Sequence, residues 1–286
     1  MQFEDRFVAF VDILGFSEKV EEREKRVGGL SQIENMVSAL WSDERNNFPF
    51  TLCPQSDRVS EDLSFVATQI SDCAVLSAEA TPLGLLRLVD ECGRSISNLL
   101  EIGLMARGYI SKGLVYHKAG QFFGSAYQEA VKNEAKVRFS FHSSEVSKTP
   151  FVELSEAVTE FYRENTDQCV KRFLGESLIE SGGLVAVDPF SRQKRLISMH
   201  ASNLSSGDAA IKLKTVKHLS ELRVCLEALR TQVDREAGTS ERVQVKLSEY
   251  HTGLSRLLEQ IETVFEMDEL LSSPFSTLKI GDLGPI

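Results

Sequence analysis

The sequence predicts an α+β fold, in which one β-sheet carries helices on one face and a helical hairpin follows at the C-terminus. The first observation is the apolar run at residues 7–13 (FVAFVDI), which is typical of a strand buried on both faces. The second is a pair of strand-like runs, 63–70 and 73–79, with only Ser71 and Asp72 between them. The third is a pair of long C-terminal stretches whose leucines recur at helical spacing. Together they favour one sheet with packed helices.

The elements before the hairpin follow from local signals. After the first strand, Ser17 can cap a helix that runs through a charged segment. This helix breaks near Gly28 and Gly29 and resumes at residues 30–41. Residues 42–62 combine prolines, asparagines and charges without periodicity, which predicts a loop.

From the hairpin onward, helices and strands alternate. Apolar residues at helical spacing follow Pro82, which suits the first turn of a helix. Residues 105–117 predict a strand, a turn around Gly113 and a second strand, and residues 123–137 predict a helix. Residues 151–198 predict a helix and a short strand.

The C-terminal part is predicted to be helical throughout. Two helices are expected at residues 208–232 and 240–270. We therefore divide the chain into a main domain, residues 1–200, and a helical extension, residues 201–286. An αα-hairpin packed on the main domain is the favoured interpretation, and a dimer-forming surface is the alternative.

Composition narrows the classes of partner. The 286 residues include 32 basic and 42 acidic ones, and the net charge of −10 disfavours nucleic acid and anionic membranes as main partners. We expect neither a membrane helix nor a targeting leader. Five scattered cysteines without a CxxC pair indicate neither a disulfide framework nor a zinc site. These features predict a soluble, cytoplasmic protein.

Two aspartates lie at the ends of segments that are otherwise apolar and are predicted to be buried strands. Asp12 ends the first strand and Asp72 lies at the hairpin tip, so both converge at one sheet edge if the strand lies beside the hairpin. Converging carboxylates repel each other unless a cation or proton joins them, and Mg²⁺ is a common solution. The backbone N–H groups of Gly15, Phe16 and Ser17, which open a helix, would then face a phosphate.

Four motifs in order resemble the class III nucleotidyl cyclases, the family of adenylate and guanylate cyclase catalytic domains. They are FVDILGFS, ISDCAVLSA, RGYISKG and FFGSAYQEAVKNE, within residues 6–137. The resemblance implies a palm-like (ferredoxin-like) sheet in a catalytic domain over residues 1–200. It also implies that Asp12, Asp72 and the carbonyl of Ile13 bind two Mg²⁺ or Mn²⁺ ions.

The resemblance also assigns roles to four polar residues. Thr68 and Gln121 fall on the base-reading positions, where neither the lysine and aspartate of adenylate cyclases nor the glutamate of guanylate cyclases is present. Gln128 and Lys132 fall on the positions of the asparagine and arginine that stabilise the transition state. Serine replaces the usual glycine at position 71, and Tyr109 replaces another in the third motif.

A class III cyclase without either purine code resembles the bacterial Pycsar cyclases, which make cyclic UMP or cyclic CMP in anti-phage defence. The resemblance therefore implies a cyclase acting on a pyrimidine nucleoside triphosphate, with UTP preferred, and a product that acts on a separate effector. It further implies a homodimer with shared active sites. A purine cyclase with atypical base readers and a non-catalytic nucleotide- or partner-binding module are the alternatives. The residues themselves leave UTP and CTP open, because Thr68 and Gln121 can each donate or accept a hydrogen bond.

Overall fold

The computed structural model describes residues 2–41, 63–118, 120–139, 147–204, 208–238 and 241–266. The strands are β1 (Glu4–Ile13), β2 (Phe65–Ile70), β3 (Cys73–Glu79), β4 (Ala106–Lys118), β5 (Gln121–Phe123), β6 (Val152–Leu154), β7 (Leu178–Ser181) and β8 (Leu184–Val187). The helices are α1 (Phe16–Arg23), α2 (Gly29–Leu40), α3 (Pro82–Glu101), α4 (Ser125–Glu134), α5 (Glu156–Glu164), α6 (Gln168–Ser177), α7 (Ser191–Leu204), α8 (Ala209–Ala237) and α9 (Glu241–Glu266).

The predicted α+β class is confirmed by a mixed, open sheet of eight strands within these ranges. The strand order is β2-β3-β1-β4-β6-β8-β7, and β5 pairs with β4 outside this path. The contact between β4 and β6 is parallel, whereas the other strand pairs are antiparallel. Strand β1 therefore lies inside the sheet, between β3 and β4, as its continuous apolar run predicts.

Helices cover both faces of the sheet, so the prediction of helices on one face is wrong. Along β1, Phe7 and Val11 join the large core that includes α2 and α3. Val8, between them, belongs to a second core with Ala126 and Ala130 of α4, on the opposite face. Because successive side chains of a strand point to opposite faces, an apolar run buried at every position needs cover on both sides.

Several element boundaries differ from the predicted ones. Strand β4 runs without a turn through Gly113, which pairs with Arg6 of β1. Residues 121–123 form β5, so α4 begins later than predicted. Residues 151–198 hold β6, α5, α6, β7, β8 and the start of α7, which is more than one helix and one strand. The predicted loop at residues 42–62 lies outside the described residues.

The two predicted C-terminal helices are present as α8 and α9, and they pack on the rest of the chain. Tyr250 of α9 is fully buried, and its ring centroid lies 5.5 Å from that of Phe151 and 5.2 Å from that of Phe190. The predicted boundary between residues 200 and 201 falls inside α7. One apolar core joins the hairpin to the sheet.

Two chain-wide expectations can be compared with the structure. In the part of the chain that is described, each helix is too short or too polar to cross a bilayer. Among the described cysteines, Cys73, Cys92 and Cys225 are free thiols and Cys169 is disulfide-bonded, a bond that the cysteine spacing does not predict. Spacing along the chain does not fix which thiols meet in the fold.

Candidate active site

Asp12 is held by strands on both sides. Strand β1 pairs with β3 and with β4, and the register places Asp12 opposite Cys73 on one side and opposite Arg107 on the other. Residues directly opposite each other in an antiparallel pair share a face of the sheet. The backbone of Asp12 is thus fixed by two ladders, on the face that α4 covers.

Asp72 reaches the same place from the hairpin turn. It lies with Ser71 between the paired residues Ile70 and Cys73, and its carbonyl accepts a hydrogen bond of 3.1 Å from the N–H of Ile13. One ligand atom each from Asp12, Asp72 and Cys73 lie within 4.8 Å of one another. The structure therefore brings the two predicted carboxylates together, and their role as metal ligands stays a prediction, as does that of the Ile13 carbonyl.

The surroundings of Asp12 make its ionisation less favourable than in water when no cation is bound. The pKa of Asp12 is raised to about 6, mainly by burial and to a smaller extent by the nearby carboxylates of Glu134 and Asp72. The hydrogen bond from Cys73 and the charge of Arg107 act in the opposite direction. A cation bound beside Asp12 would lower this pKa and stabilise the ionised carboxylate.

Cys73 acts as a donor in this cluster. Its Sγ donates a hydrogen bond of 3.3 Å to Oδ1 of Asp12. Burial and the adjacent carboxylates raise the pKa of the Cys73 thiol far above its usual value, so the sulfur keeps its proton. The carboxylate oxygens of Asp12 and Asp72 are the hard donors of this cluster, and they suit a hard divalent cation such as Mg²⁺ or Mn²⁺.

An ion pair joins α4 to the sheet beside Asp12. Nε of Arg107, at the start of β4, donates to Oε1 of Glu134, the last residue of α4. Glu134 is 7% exposed and lies on the buried side of α4 with Ala126 and Ala130. The pair places one charge of each sign next to Asp12 and holds the end of α4 against this part of the sheet.

The N-terminus of α1 follows Asp12 closely. Gly15 is the residue before the helix, with a φ of 69°, and no side chain caps the helix there. The prediction that Ser17 caps this helix is wrong, because Phe16 is already its first residue. A positive φ is accessible to glycine at little cost, and the first N–H groups of a helix have no partner within the helix. Gly15, Phe16 and Ser17 thus remain the candidate phosphate-binding residues.

Thr68 lies on the same face as Asp12. It pairs with Val75 of β3, two residues from Cys73, and Val75 belongs to the core under α4. Two strand spacings and two residues separate Thr68 from Asp12, which corresponds to about 12 Å between their backbones. Oγ1 of Thr68 lies 3.0 Å from Nε2 of His117. Gln121, the second candidate base reader, is exposed at the start of β5.

Gln128 and Lys132 lie on the solvent side of α4. Both are exposed, whereas Ala126, Ala130 and Glu134 form the buried side of the helix. Positions 128 and 132 lie about half a turn away from that side, because each residue advances a helix by about 100°. Within one chain, these two residues therefore face away from the sheet that carries Asp12 and Asp72.

Four residues of this site were not predicted to belong to it: Cys73, Arg107, Glu134 and His117. Arg107 was visible as part of RGYISKG, but its neighbour across the sheet could not be known without the register of β1 and β4. Glu134 and His117 reach the site through a helix and a strand that are distant in sequence. Their spacing along the chain follows no metal-binding pattern.

A scan against protein-family models finds no match for this chain, and a search of the curated proteins finds none either.

Proposed function

We propose that this protein is a metal-dependent nucleotidyl cyclase that converts a pyrimidine nucleoside triphosphate, UTP rather than CTP, into a 3′,5′-cyclic monophosphate and pyrophosphate. The observation that carries this proposal is the meeting of Asp12 and Asp72 within 4.8 Å, just before the start of α1. The four motifs that resemble class III cyclases, and Pycsar cyclases in particular, support it independently.

The roles of the residues follow from their positions. Asp12 and Asp72, with the carbonyl of Ile13, would hold two divalent ions. These ions supply the positive charge that a triphosphate needs next to two carboxylates. The N–H groups of Phe16 and Ser17 donate to phosphate oxygens, since a helix N-terminus favours anions. In the reaction, the ribose 3′-hydroxyl loses its proton to solvent and its oxygen bonds to the α-phosphorus, while the bond from that phosphorus to the pyrophosphate oxygen breaks and pyrophosphate leaves.

The placement of Gln128 and Lys132 supports a homodimer with shared sites. Gln128 and Lys132 are exposed and turned away from the carboxylates of their own chain. A second subunit would therefore supply them: Lys132 as a positive charge and Gln128 as a donor to the phosphate oxygens. Neutral polar groups at Thr68 and Gln121 suit a pyrimidine base. The cyclic nucleotide then acts on a separate effector, in the manner of an anti-phage messenger.

The deciding experiment identifies the product directly. The protein is incubated with UTP, CTP, ATP and GTP at equal concentration in the presence of Mn²⁺, and the products are identified by mass. We expect cyclic UMP to dominate and the Asp72→Ala variant to form none, although it stays folded. Cyclic AMP or cyclic GMP as the main product would refute the pyrimidine specificity, and no cyclic product with any triphosphate would refute the cyclase.

Shared sites are tested by mixing two inactive variants. In a heterodimer of Asp12→Ala and Lys132→Ala chains, one site carries both defects and the other carries neither. We therefore expect partial activity after subunit exchange. A mixture that stays inactive despite demonstrated exchange would contradict the dimer arrangement.

A further inference from the structure

A buried chain of hydrogen bonds ends at Thr68. Nε of Arg6 donates to Oγ of Ser77 at 3.3 Å, this Oγ lies 2.8 Å from Nδ1 of His117, and Nε2 of His117 lies 3.0 Å from Oγ1 of Thr68. Arg6, Ser77 and His117 are at most 3% exposed, whereas Thr68 is half-buried. Phe122 packs edge-on against the ring of His117, with centroids 5.5 Å apart. The chain thus connects a fixed charge to the candidate base reader.

The direction of each hydrogen bond follows from the donors present. A guanidinium only donates, so Oγ of Ser77 accepts from Arg6. Ser77 still has its own proton, and His117 is the remaining partner of its hydroxyl among the described residues. A fully buried hydroxyl without an acceptor is costly, so Ser77 donates to Nδ1 of His117.

The ring of His117 is neutral and carries its proton on the outer nitrogen. Burial, with a smaller contribution from the charge of Arg6, lowers the pKa of His117 to about 4. A neutral imidazole has one N–H, and Nδ1 is already an acceptor, so the proton is on Nε2. Nε2 therefore donates to Oγ1 of Thr68.

We propose that the chain from Arg6 through Ser77 and His117 fixes the hydroxyl of Thr68 as a hydrogen-bond donor, and that it thereby selects a base with a carbonyl oxygen at this point. This inference rests on the proposed function for the identity of the ligand, but the direction of the hydrogen bonds does not depend on it. His117 is accordingly a positioning residue that determines specificity through Thr68.

A fixed donor distinguishes bases that a freely rotating hydroxyl cannot. A carbonyl oxygen of the base accepts the hydroxyl proton of Thr68, whereas an amino group at the same point can only donate to the second lone pair of Oγ1 and leaves that proton without an acceptor. At position 4, uracil presents a carbonyl oxygen, which accepts from Thr68, whereas cytosine presents an amino group, which only donates; the selected carbonyl is therefore that of position 4. An unpaired buried polar group lowers affinity strongly, so the site favours UTP over CTP.

The tautomer of His117 is the first test, and it needs no activity. Long-range ¹H–¹⁵N spectra of the protein labelled at its five histidines separate protonated from unprotonated ring nitrogens. The spectrum of His117→Gln identifies the signals of His117. We expect a neutral ring with the proton on Nε2 near neutral pH, and a mixture of tautomers in Ser77→Ala. A proton on Nδ1, or a charged ring, would overturn the proposal.

Analogues of UTP provide the second test. Sulfur accepts hydrogen bonds more weakly than oxygen, so replacing the selected carbonyl oxygen by sulfur weakens the bond from Thr68. We expect kcat/KM for 4-thio-UTP to lie about tenfold or more below that for UTP, and kcat/KM for 2-thio-UTP to stay close to that for UTP. This difference should disappear in Thr68→Val and persist in Thr68→Ser, which keeps the hydroxyl.

Variants of two histidines separate the effect of the hydrogen-bond chain from Arg6 to Thr68, here called the relay, from general destabilisation. In His117→Gln the amide can flip and offer Thr68 either a donor or an acceptor, so the preference for UTP over CTP should fall about tenfold. The matched control is His200→Gln, because His200 is also buried and hydrogen-bonded to a ring, that of His218, but lies in α7. It should keep the native preference.

The outcomes separate the two proposals. If no triphosphate is cyclised but His117 carries its proton on Nε2, the proposed function fails and the relay stands. If cyclic UMP forms but the ratio of kcat/KM for UTP to that for 4-thio-UTP is the same in Thr68→Val as in the native protein, the relay fails and the cyclase stands.

Discussion

Replacing Asp12 by asparagine should stabilise the metal-free protein. The pKa of Asp12 is raised from 3.8 to about 6, so ionising this group costs the folded state free energy that the unfolded chain does not lose. A shift of about two units corresponds to about 3 kcal/mol, and partial solvent screening of this half-buried carboxyl reduces it to about 1–2 kcal/mol. Asparagine has the same shape, keeps an oxygen to accept from Cys73 and carries no charge.

The pH dependence of the stability difference between Asp12→Asn and the native protein provides a second test. The folded-state pKa is above the unfolded one, so the cost of the native Asp12 is full above about pH 6, decreases as the pH falls, and vanishes below about pH 4. Urea unfolding in EDTA should therefore show Asp12→Asn to be more stable than the native protein at about pH 7.5, and nearly equal to it at about pH 4.

With divalent ions present, the native protein should be more stable than Asp12→Asn. An ion that binds only the folded native protein stabilises it by about 2.7 kcal/mol at a concentration of 100 times its dissociation constant. Asp12→Asn should lose most of this stabilisation by Mn²⁺. The control is Asp5→Asn on the same strand, whose exposed pair with Lys112 contributes at most about 1 kcal/mol. A metal-free Asp12→Asn protein less stable than the native one at about pH 7.5 would refute the reasoning.

Four further substitutions test the fold, each by urea unfolding. Gly124→Ala should cost about 2–3 kcal/mol, because a Cβ there would lie 2.4 Å from the carbonyl oxygen of Leu114 at a φ of 144°. Gly175→Ala, with its nearest neighbour at 3.9 Å inside a helix, should be neutral or stabilising, and an equal loss in both would contradict this. Tyr250→Phe should gain about 1 kcal/mol, because the buried hydroxyl has no partner in the described part of the chain, and a loss would show that it has one. Ser71→Gly should gain about 0.5–1 kcal/mol by relieving a φ of 53°, and an unchanged midpoint would argue against strain in this turn.

The part of the site that local sequence signals define was predictable. An unbroken apolar run predicted β1, and two residues between strand-like runs predicted the β2–β3 hairpin. Because Asp12 and Asp72 lie at the ends of these elements, their convergence required only that the hairpin lie beside β1. The pairing of β1 with β3 fulfils that condition.

The part that long-range contacts define was not predictable. The apolar positions of α4 are few, and its face was expected to match that of the other helices, whereas Ala126 and Ala130 pack on the opposite side of the sheet. Gly113 was interpreted as a turn because glycine is common there, yet it lies within β4. His117 contacts Thr68 only because β2 and β4 lie in one sheet, and these two residues are 49 positions apart in sequence.

The two carboxylates differ in how firmly the chain holds them. Asp12 belongs to a strand with hydrogen-bonded neighbours on both sides, whereas Asp72 lies in the turn of a hairpin whose outer strand, β2, is at the edge of the sheet. Amide hydrogens of β1 should therefore exchange with solvent only when the whole sheet opens, and those near the hairpin tip should exchange through smaller, more frequent openings. A cation that joins Asp12 to Asp72 would connect the tip to the most slowly exchanging strand. Slower exchange confined to the β2–β3 tip would then be the signature of an occupied site.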